Sequence, residues 1–238
     1  MKLICYLSNG YPSIEGCLEL AQTYVEAGCD VIEIDFPAKN PFLENEFIQN
    51  RMAQALERCA DPDAYMDGLA RLNALVPGTS FILVVYEATL KEIGYERLRD
   101  FLLDNGFLDI IYVGLESGEI KQRLIRDGIR VSCYVQYDVP EDEVEHARQS
   151  NGFVYLQARP TTGRVNEKYP LLSDLIAHLR AEGIDRPIYC GVGIHQPEDA
   201  RMARQAGADA VFVGSTILKL YDDKQALIRK IHEFKAEC

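Results

Sequence analysis

The chain has 238 residues, of which 47% are hydrophobic, which is enough material for one domain with a large buried core. Its 37 acidic residues outnumber its 25 lysines and arginines and give a formal net charge of −12. Because such a surface repels nucleic-acid phosphates and anionic lipid, we expect neither nucleic acid nor a membrane as a partner.

The start of the chain and its cysteines indicate where the protein resides. The strand-like segment Leu3–Leu7 follows Met1 almost directly, so a secretory leader is not indicated. No apolar run approaches the roughly 18 residues of a membrane span. The seven cysteines are scattered without a CxxC pair, which is typical of reduced thiols that pack as small hydrophobic side chains. These features predict a cytoplasmic protein.

A repeated pattern of helix, glycine and short apolar strand organises the rest of the chain. Glycine adopts the left-handed conformation at low cost, so each glycine is expected to end a helix and begin a loop. The strands are apolar nearly throughout, as in a parallel sheet that is buried on both faces. The eight expected strands are Leu3–Leu7, Val31–Ile34, Phe81–Val85, Ile110–Val113, Val131–Val135, Phe153–Leu156, Ile188–Cys190 and Ala210–Val213.

Amphipathic helices are expected between these strands. An alternation of eight strands and helices can close into a barrel or form an open doubly wound sheet. The count of eight and the even spacing favour the barrel, so we predict an α/β fold with a single (β/α)₈ TIM-barrel domain over residues 1–238. Examples of the expected helices are Glu15–Ala27, Asp63–Leu75, Tyr95–Asn105 and Pro197–Ala206.

Two connections that follow strands are longer than a βα turn needs. One runs from Phe36 to about Glu46, and the other runs from Gln157 to about Tyr169. Because long βα loops of a barrel cluster at its catalytic face, these are the segments in which function is expected.

The second strand carries acidic residues within an apolar segment. Side chains alternate along a strand, so Glu33 and Asp35 share the face of Val31, while Ile32 and Ile34 take the helix-packed outside. Glu33 is therefore expected to point into the barrel mouth, which is a typical place for a general acid/base. The alternative is a structural glutamate that a neighbouring lysine, arginine or backbone group satisfies.

Two glycine turns follow the last two strands, namely Gly191-Val192-Gly193-Ile194 and Gly214-Ser215-Thr216. Each is expected to open a helix, where unpaired amides and the helix dipole favour an anion. Barrels commonly bind phosphate in these two loops, so a phosphate site is predicted here, and plain tight turns are the alternative. The neighbouring His195 is expected at the surface near the helix start.

Motifs along nearly the whole chain resemble those of the tryptophan synthase alpha subunit family, in the same order. The segment Ala27–Pro37 is similar to the family's AGAD-x-x-E-x-x-x-P pattern. The turn after strand one, parts of the sixth loop and the two glycine turns also look like family segments. The chain is thus identified as a divergent member that lacks the family's helix before strand one. The further matching segments are Leu7–Pro12, Asn40-Pro41, Ile48-Gln49, Tyr155-Leu156, Arg159, Thr162-Gly163, Pro197-Glu198 and Ala206-Gly207-Ala208.

The resemblance implies a retro-aldol cleavage of indole-3-glycerol phosphate to indole and glyceraldehyde 3-phosphate, without a cofactor. It assigns the essential acid/base to Glu33, a second carboxylate to Glu44 and an active-site tyrosine to Tyr155. It also implies that Thr162 contacts the second carboxylate and helps to close the site. A phosphorylated small molecule is the expected substrate, and a tryptophan synthase beta subunit is a candidate partner. The residues implied to bind the substrate or its phosphate are Thr162, Gly163, Gly193, Gly214 and Ser215.

The sequence departs from the family pattern in loops two and three. Asp-Gly-Pro has become Glu44-Asn45-Glu46, and Tyr86-Glu87 begins the segment that replaces an Asn-bearing loop. Two alternatives therefore stay open. One is a paralogous lyase or isomerase that acts on another phosphorylated small molecule, and the other is a non-catalytic subunit that binds a phosphate ligand.

Neither a metal nor a nucleotide cofactor is expected. The four histidines show no ligand spacing, and the glycine turns are not spaced as in a Rossmann or Walker fingerprint.

Overall fold

The structure is a computed structural model that describes residues 1–114, 118–161, 163 and 165–238. Within these residues, nine parallel strands form one sheet in the order β5-β4-β3-β2-β1-β9-β8-β7-β6. The strands are β1 Lys2–Leu7, β2 Val31–Asp35, β3 Ser80–Tyr86, β4 Asp109–Val113, β5 Arg130–Val131, β6 Cys133–Val135, β7 Val154–Gln157, β8 Ile188–Gly191 and β9 Ala210–Val213.

The fifth predicted strand is divided into two pieces, β5 and β6. The amide of Ser132 donates to Ile110 O on β4 at 3.0 Å, whereas the amide of Cys133 donates to Phe153 O beside β7 at 3.2 Å. The chain therefore changes its pairing partner at this point and joins the two ends of the sheet. The prediction of one continuous strand was wrong in this detail, but the prediction of a TIM barrel is confirmed.

Helices separate the strands and cover the barrel. The four helices predicted from hydrophobic periodicity are present within one residue of their expected ends. The eleven helices of the described residues are α1 Ile14–Glu26, α2 Glu46–Arg58, α3 Pro62–Leu75, α4 Glu87–Ile93, α5 Tyr95–Asp104, α6 Gly118–Arg126, α7 Glu141–Gln149, α8 Leu172–Ala181, α9 Pro197–Ala206, α10 Ser215–Leu218 and α11 Lys224–Glu237.

The hydrophobic core has an inner and an outer layer, as expected for a barrel. Val31 packs inside the barrel with Ile4 and Phe212, whereas Ile32 and Ile34 pack in the large cluster between strands and helices. The predicted alternation along the second strand is therefore confirmed. It leaves Glu33 and Asp35 on the inner face, toward the carboxyl ends of the strands.

The seven cysteines are free, and five of them are buried. Among the described residues, no helix combines the length and apolar character that crossing a bilayer requires.

Candidate active site

Glu33 occupies the inner face of β2 and is 8% exposed. No described residue donates a hydrogen bond to its carboxyl group. Burial raises the pKa of this group well above its ordinary value, and the charges of Glu44 and Asp35 raise it further. The Glu33 carboxyl is therefore held in the protonated form more strongly than an exposed glutamate, as a proton donor requires.

Asp35 lies two residues farther along the same face and is fully buried. Its Oδ2 accepts a hydrogen bond from the hydroxyl of Tyr6, and its Oδ1 accepts one from the amide of Asn9 at 3.0 Å. Burial raises the pKa of Asp35 to about 7, and these two hydrogen bonds oppose the increase. The two carboxyl groups on this strand thus differ in their hydrogen-bond partners.

Glu44 reaches the site from the long loop after β2. Asn45 accepts a hydrogen bond from the amide of Ile48 at 3.2 Å and so begins helix α2. The side chain of Gln49 donates to the carbonyl of Glu44 at 2.7 Å and fixes the end of the loop. Although Gly and Pro are missing, the Glu44-Asn45-Glu46 segment still forms an ordered turn that presents a carboxylate.

The carboxyl group of Glu44 is half-buried and lies beside Tyr86, whose hydroxyl donates to Glu44 Oε1 at 3.5 Å. Burial raises the pKa of Glu44, and the hydrogen bond from Tyr86 lowers it. Tyr86 ends β3, which pairs with β2, so Glu44 lies at the same mouth of the barrel as Glu33, and its charge raises the pKa of Glu33.

Tyr155 joins the carboxyl groups from the opposite side of the barrel. Its ring stacks on Phe212 with the centroids 4.3 Å apart, and it approaches Tyr134 edge-on at 5.7 Å. Burial raises the pKa of the Tyr155 hydroxyl well above its ordinary value, and the charge of Glu33 raises it further. The hydroxyl is therefore a neutral hydrogen-bond donor beside the predicted acid/base.

The first glycine turn differs from the prediction because it does not open a helix directly. Gly191 ends β8, and helix α9 begins only at Pro197. Asp199 Oδ2 accepts hydrogen bonds from the backbone amides of His195 and Gln196, both at 2.9 Å. A side chain of α9 itself thus occupies the positive end of the helix. Only the amides of the loop residues that precede His195 remain for a ligand.

Gly193 has a backbone φ of +109°, which favours glycine. A Cβ at this position would also lie 2.8 Å from the Cβ of Arg159 in the loop after β7. Arg159 is fixed in turn by an ion pair with Asp199 at 2.5 Å. His195 is exposed, as predicted.

The second glycine turn opens a short helix as predicted, with Gly214 preceding α10 and Ser215 as its first residue. The barrel register pairs Tyr6 with Glu33, and a Cβ on Gly214 would lie 3.9 Å from the Cβ of Tyr6. Tyr6 therefore stands between the acid/base residue and the predicted phosphate turn. This arrangement places Glu33, Gly214 and Ser215 at the same mouth of the barrel.

The sixth loop is only partly described. Thr162, which is predicted to contact Glu44, lies outside the described residues. Gly163 is exposed and has a φ of +72°, and a Cβ there would meet no atom within 4 Å. Gln157 anchors the start of the loop by donating to Thr161 Oγ1 at 2.8 Å.

The model of the family described as tryptophan synthase alpha chain matches residues 1–238 of this chain. The chain belongs to the tryptophan synthase alpha chain family. The alpha chain from Halobacterium salinarum is 30% identical over 230 residues, covering 93% of this chain and 82% of that protein. The alpha chain from Methanosarcina barkeri is 26% identical over 240 residues, covering 99% and 89%.

Solved structures support the fold. The tryptophan synthase subunit alpha from Campylobacter jejuni superposes with a TM-score of 0.82 at 24% identity and covers 98% of this chain and 95% of that chain. The family model and the curated relatives confirm the sequence-based predictions of the family and of a lyase that cleaves indole-3-glycerol phosphate. Alpha chains of tryptophan synthase normally pair with a beta subunit.

The sequence-based predictions missed Tyr6 and Asn9, which donate hydrogen bonds to Asp35, and Arg51, whose positive charge lowers the pKa of Asp35. Asp35 was assigned to the correct face but given no role. The alternation of side chains along β2 was a signal for Asp35. Tyr6 lies on β1 and Asn9 in the turn after it, 29 and 26 residues before Asp35 in the sequence. Their proximity follows from strand pairing, which the sequence pattern does not specify.

Glu87, in the third-strand segment that departs from the family pattern, is buried. It begins α4 and forms an ion pair with Lys91 at 2.8 Å. Among the described residues, no group of three His, Cys, Asp or Glu side chains is arranged to hold a metal ion.

Proposed function

We propose that Glu33 is the acid/base residue that cleaves indole-3-glycerol phosphate in this chain. The observation that carries the proposal is the position of Glu33 on the inner face of β2, buried and without a hydrogen bond from any described residue. Burial and the two neighbouring carboxylates raise its pKa, so it carries a proton where an exposed glutamate would not.

The proposed reaction needs no external reagent. The protonated Glu33 carboxyl donates its proton to the indole carbon that bears the glycerol chain. The resulting Glu33 carboxylate accepts the proton of the adjacent glycerol hydroxyl while the carbon–carbon bond breaks. The electron pair of the broken carbon–carbon bond returns to the indole ring, and the carbon that carried the hydroxyl becomes the aldehyde carbon of glyceraldehyde 3-phosphate. The proton on Glu33 is thereby restored, so the residue serves as acid and then as base.

Glu44 is the proposed partner of the indole nitrogen. Positive character develops on the ring nitrogen when the neighbouring ring carbon is protonated. A carboxylate that accepts the N–H hydrogen bond stabilises that charge more in the transition state than in the substrate. The hydrogen bond from Tyr86 at 3.5 Å and the fixed carbonyl of Glu44 support this orientation. Tyr155 supplies a neutral hydroxyl on the opposite side of the ring.

The phosphate is proposed to bind at the backbone amides of Gly193, Gly214 and Ser215, with Gly163 as a further contact from the sixth loop. The left-handed backbone at Gly193 and the start of α10 at Ser215 support this assignment. No basic side chain is assigned to the phosphate. An overall charge of −12 makes such local backbone donors the main source of attraction.

A beta subunit is the proposed partner of this chain. Family membership supports this, and so do exposed apolar side chains in the loops at the carboxyl end of the barrel. Leu43 is 69% exposed and Leu171 is 61% exposed. Apolar side chains in these loops are available to be buried against a partner.

The test is the release of indole from indole-3-glycerol phosphate by the purified chain, with and without a beta subunit. Glu33→Gln keeps the shape of the side chain but removes the acid/base function. We expect kcat to fall by about 10²- to 10⁴-fold. The dissociation constant of glycerol 3-phosphate should stay within about twofold, because the phosphate turns are untouched.

Glu57→Gln is the matched control, because Glu57 is exposed on α2. It should leave both quantities unchanged. A wild-type chain that binds glycerol 3-phosphate but releases no indole would contradict the proposed reaction. Full activity in Glu33→Gln would remove Glu33 from the mechanism.

A further inference from the structure

The carboxyl groups of Glu33 and Asp35 are close neighbours in very different settings. Both are buried on the inner face of β2, two residues apart. Asp35 accepts two hydrogen bonds, from Tyr6 and from the amide of Asn9, whereas no described residue donates one to Glu33. Hydrogen bonds to a carboxylate favour its charged form. When one proton is lost from this pair, it is therefore Asp35 that becomes charged.

The charged groups around the pair also favour a negative charge on Asp35 over one on Glu33. Arg51 lowers the pKa of Asp35 through its positive charge but is not among the causes that act on Glu33. Glu44 raises the pKa of both groups. The titratable groups that face Glu33 or Asp35 from the neighbouring elements are Tyr6 on β1, Cys17 on α1, Glu44 in the loop after β2, Arg51 on α2, Tyr65 on α3, Tyr86 on β3 and Tyr155 on β7.

Asp35 has no route to the substrate. It is 0% exposed, and both of its oxygens already accept hydrogen bonds from the protein. Any effect on the reaction must therefore pass through its neighbours. Tyr6 is one of them, and it separates Glu33 from the turn at Gly214.

We propose that Asp35 is a positioning residue that acts through Glu33: held as the charged member of the pair by Tyr6 and Asn9, it keeps the Glu33 carboxyl protonated and ready to donate. The inference rests on the proposed role of Glu33 and adds a residue that, beside burial and Glu44, favours its protonated form. The same hydrogen bond fixes the hydroxyl of Tyr6 as a donor to Asp35, while the Cβ of Tyr6 lies on the side of Gly214. Asp35 thereby connects the acid/base side of the mouth with the phosphate side.

The test is a titration of Glu33 that does not depend on turnover. Glutamate labelled with ¹³C at the side-chain carboxyl is followed by NMR between pH 4 and pH 10, and Glu33→Gln identifies the Glu33 resonance. Asp35→Asn removes the neighbouring charge and keeps an oxygen that can accept from Asn9. We expect the Glu33 midpoint to fall by about one pH unit or more, because the like charge is gone.

Asp142→Asn is the control, because Asp142 is exposed on α7. It should leave the Glu33 midpoint in place. A midpoint within about 0.3 unit of wild type in folded Asp35→Asn would overturn the proposal, since one unit corresponds to a 1.4 kcal/mol interaction. The pH dependence of kcat adds a second measurement, in which the alkaline limit of activity should move to lower pH in Asp35→Asn.

Tyr6→Phe keeps the test decisive if Asp35→Asn does not fold. It removes one hydrogen bond from Asp35, so the Asp35 carboxyl should ionise at higher pH, as followed with ¹³C-labelled aspartate. An unchanged Asp35 midpoint would overturn the proposal. If the wild type releases no indole but the Glu33 midpoint still falls in Asp35→Asn, the proposed function fails while the pairing of the two carboxyl groups stands.

Discussion

Tyr155 stacks on Phe212 with 4.3 Å between ring centroids and 9° between ring planes. This places the edge of the Tyr155 ring against Gly191, the last residue of the neighbouring strand β8. A Cβ on Gly191 would lie 2.3 Å from the ring and from its hydroxyl. The first glycine of the GVG turn therefore provides space for a side chain of the site, which is separate from any role in binding phosphate.

Gly191→Ala should displace the Tyr155 ring. Because a misplaced catalytic group costs rate even when binding persists, we expect kcat for indole release to fall by about 10- to 100-fold. Gly118→Ala is the control, since Gly118 at the start of α6 has open space around its Cα. Wild-type kcat in Gly191→Ala would show that the position of Tyr155 does not matter.

Gly193→Ala should weaken phosphate binding. The new methyl group would collide with Arg159, and φ at this position is +109°. We expect the dissociation constant of glycerol 3-phosphate, measured by calorimetry, to rise by about tenfold or more, which corresponds to about 1.4 kcal/mol.

Gly78→Ala separates backbone strain from ligand binding. Gly78 also has a left-handed backbone, with φ at +86°, but a Cβ there would meet nothing within 4 Å. Both variants should lose about 1 kcal/mol of stability from strain, whereas only Gly193→Ala should lose affinity. Equal affinities in the two variants would refute the assignment of Gly193 to the phosphate.

The stability of the protein should fall as the pH rises from 5 to 7. Asp35 has an ordinary pKa of 3.8 and a pKa of about 7 in the fold, so the folded chain binds more protons than the unfolded chain in this range. The free energy of unfolding therefore decreases with pH, by about 2 to 3 kcal/mol for one such group. Glu33 contributes in the same direction because its pKa is also raised.

Asp35→Asn should flatten this profile, since it removes one buried acid and lowers the pKa of the other. Urea unfolding at several pH values between 5 and 8 measures the slope. If wild type and variant share the same slope, these buried carboxyl groups are not the source of the pH dependence.

Arg51 should stabilise the contact between α2 and α10. Its guanidinium lies 4.2 Å from the ring centroid of Tyr11 and 4.7 Å from that of Phe47, and Nη2 donates to Leu218 O at 2.9 Å. Arg51→Lys loses the planar stacking, so we expect the free energy of unfolding to fall by about 1 to 3 kcal/mol.

Arg71→Lys is the matched control. Arg71 is half exposed and pairs with the exposed Glu15 at 3.2 Å. Such a surface pair contributes little, so the change should stay within about 0.5 kcal/mol. Similar losses in the two lysine variants would contradict a special role for Arg51. Because Leu218 ends α10, Arg51→Lys should also raise KM more than it lowers kcat.

Local periodicity in the sequence determined most of the fold. A period of two placed Glu33 and Asp35 inside the barrel and Ile32 and Ile34 outside. Repeated glycines marked the helix ends, and eight units of similar length were enough to predict a closed barrel. These features depend on neighbours within a few residues, so they can be read from the chain alone.

Only the tertiary structure decided which distant groups meet. The contact of Tyr6 with Asp35, the ion pair of Arg159 with Asp199 and the space that Gly191 leaves for Tyr155 all depend on strand register and side-chain direction. The break at Ser132 arises because the chain changes partners where the barrel closes. Long-range pairing sets these relationships, and the local sequence pattern carries no record of them.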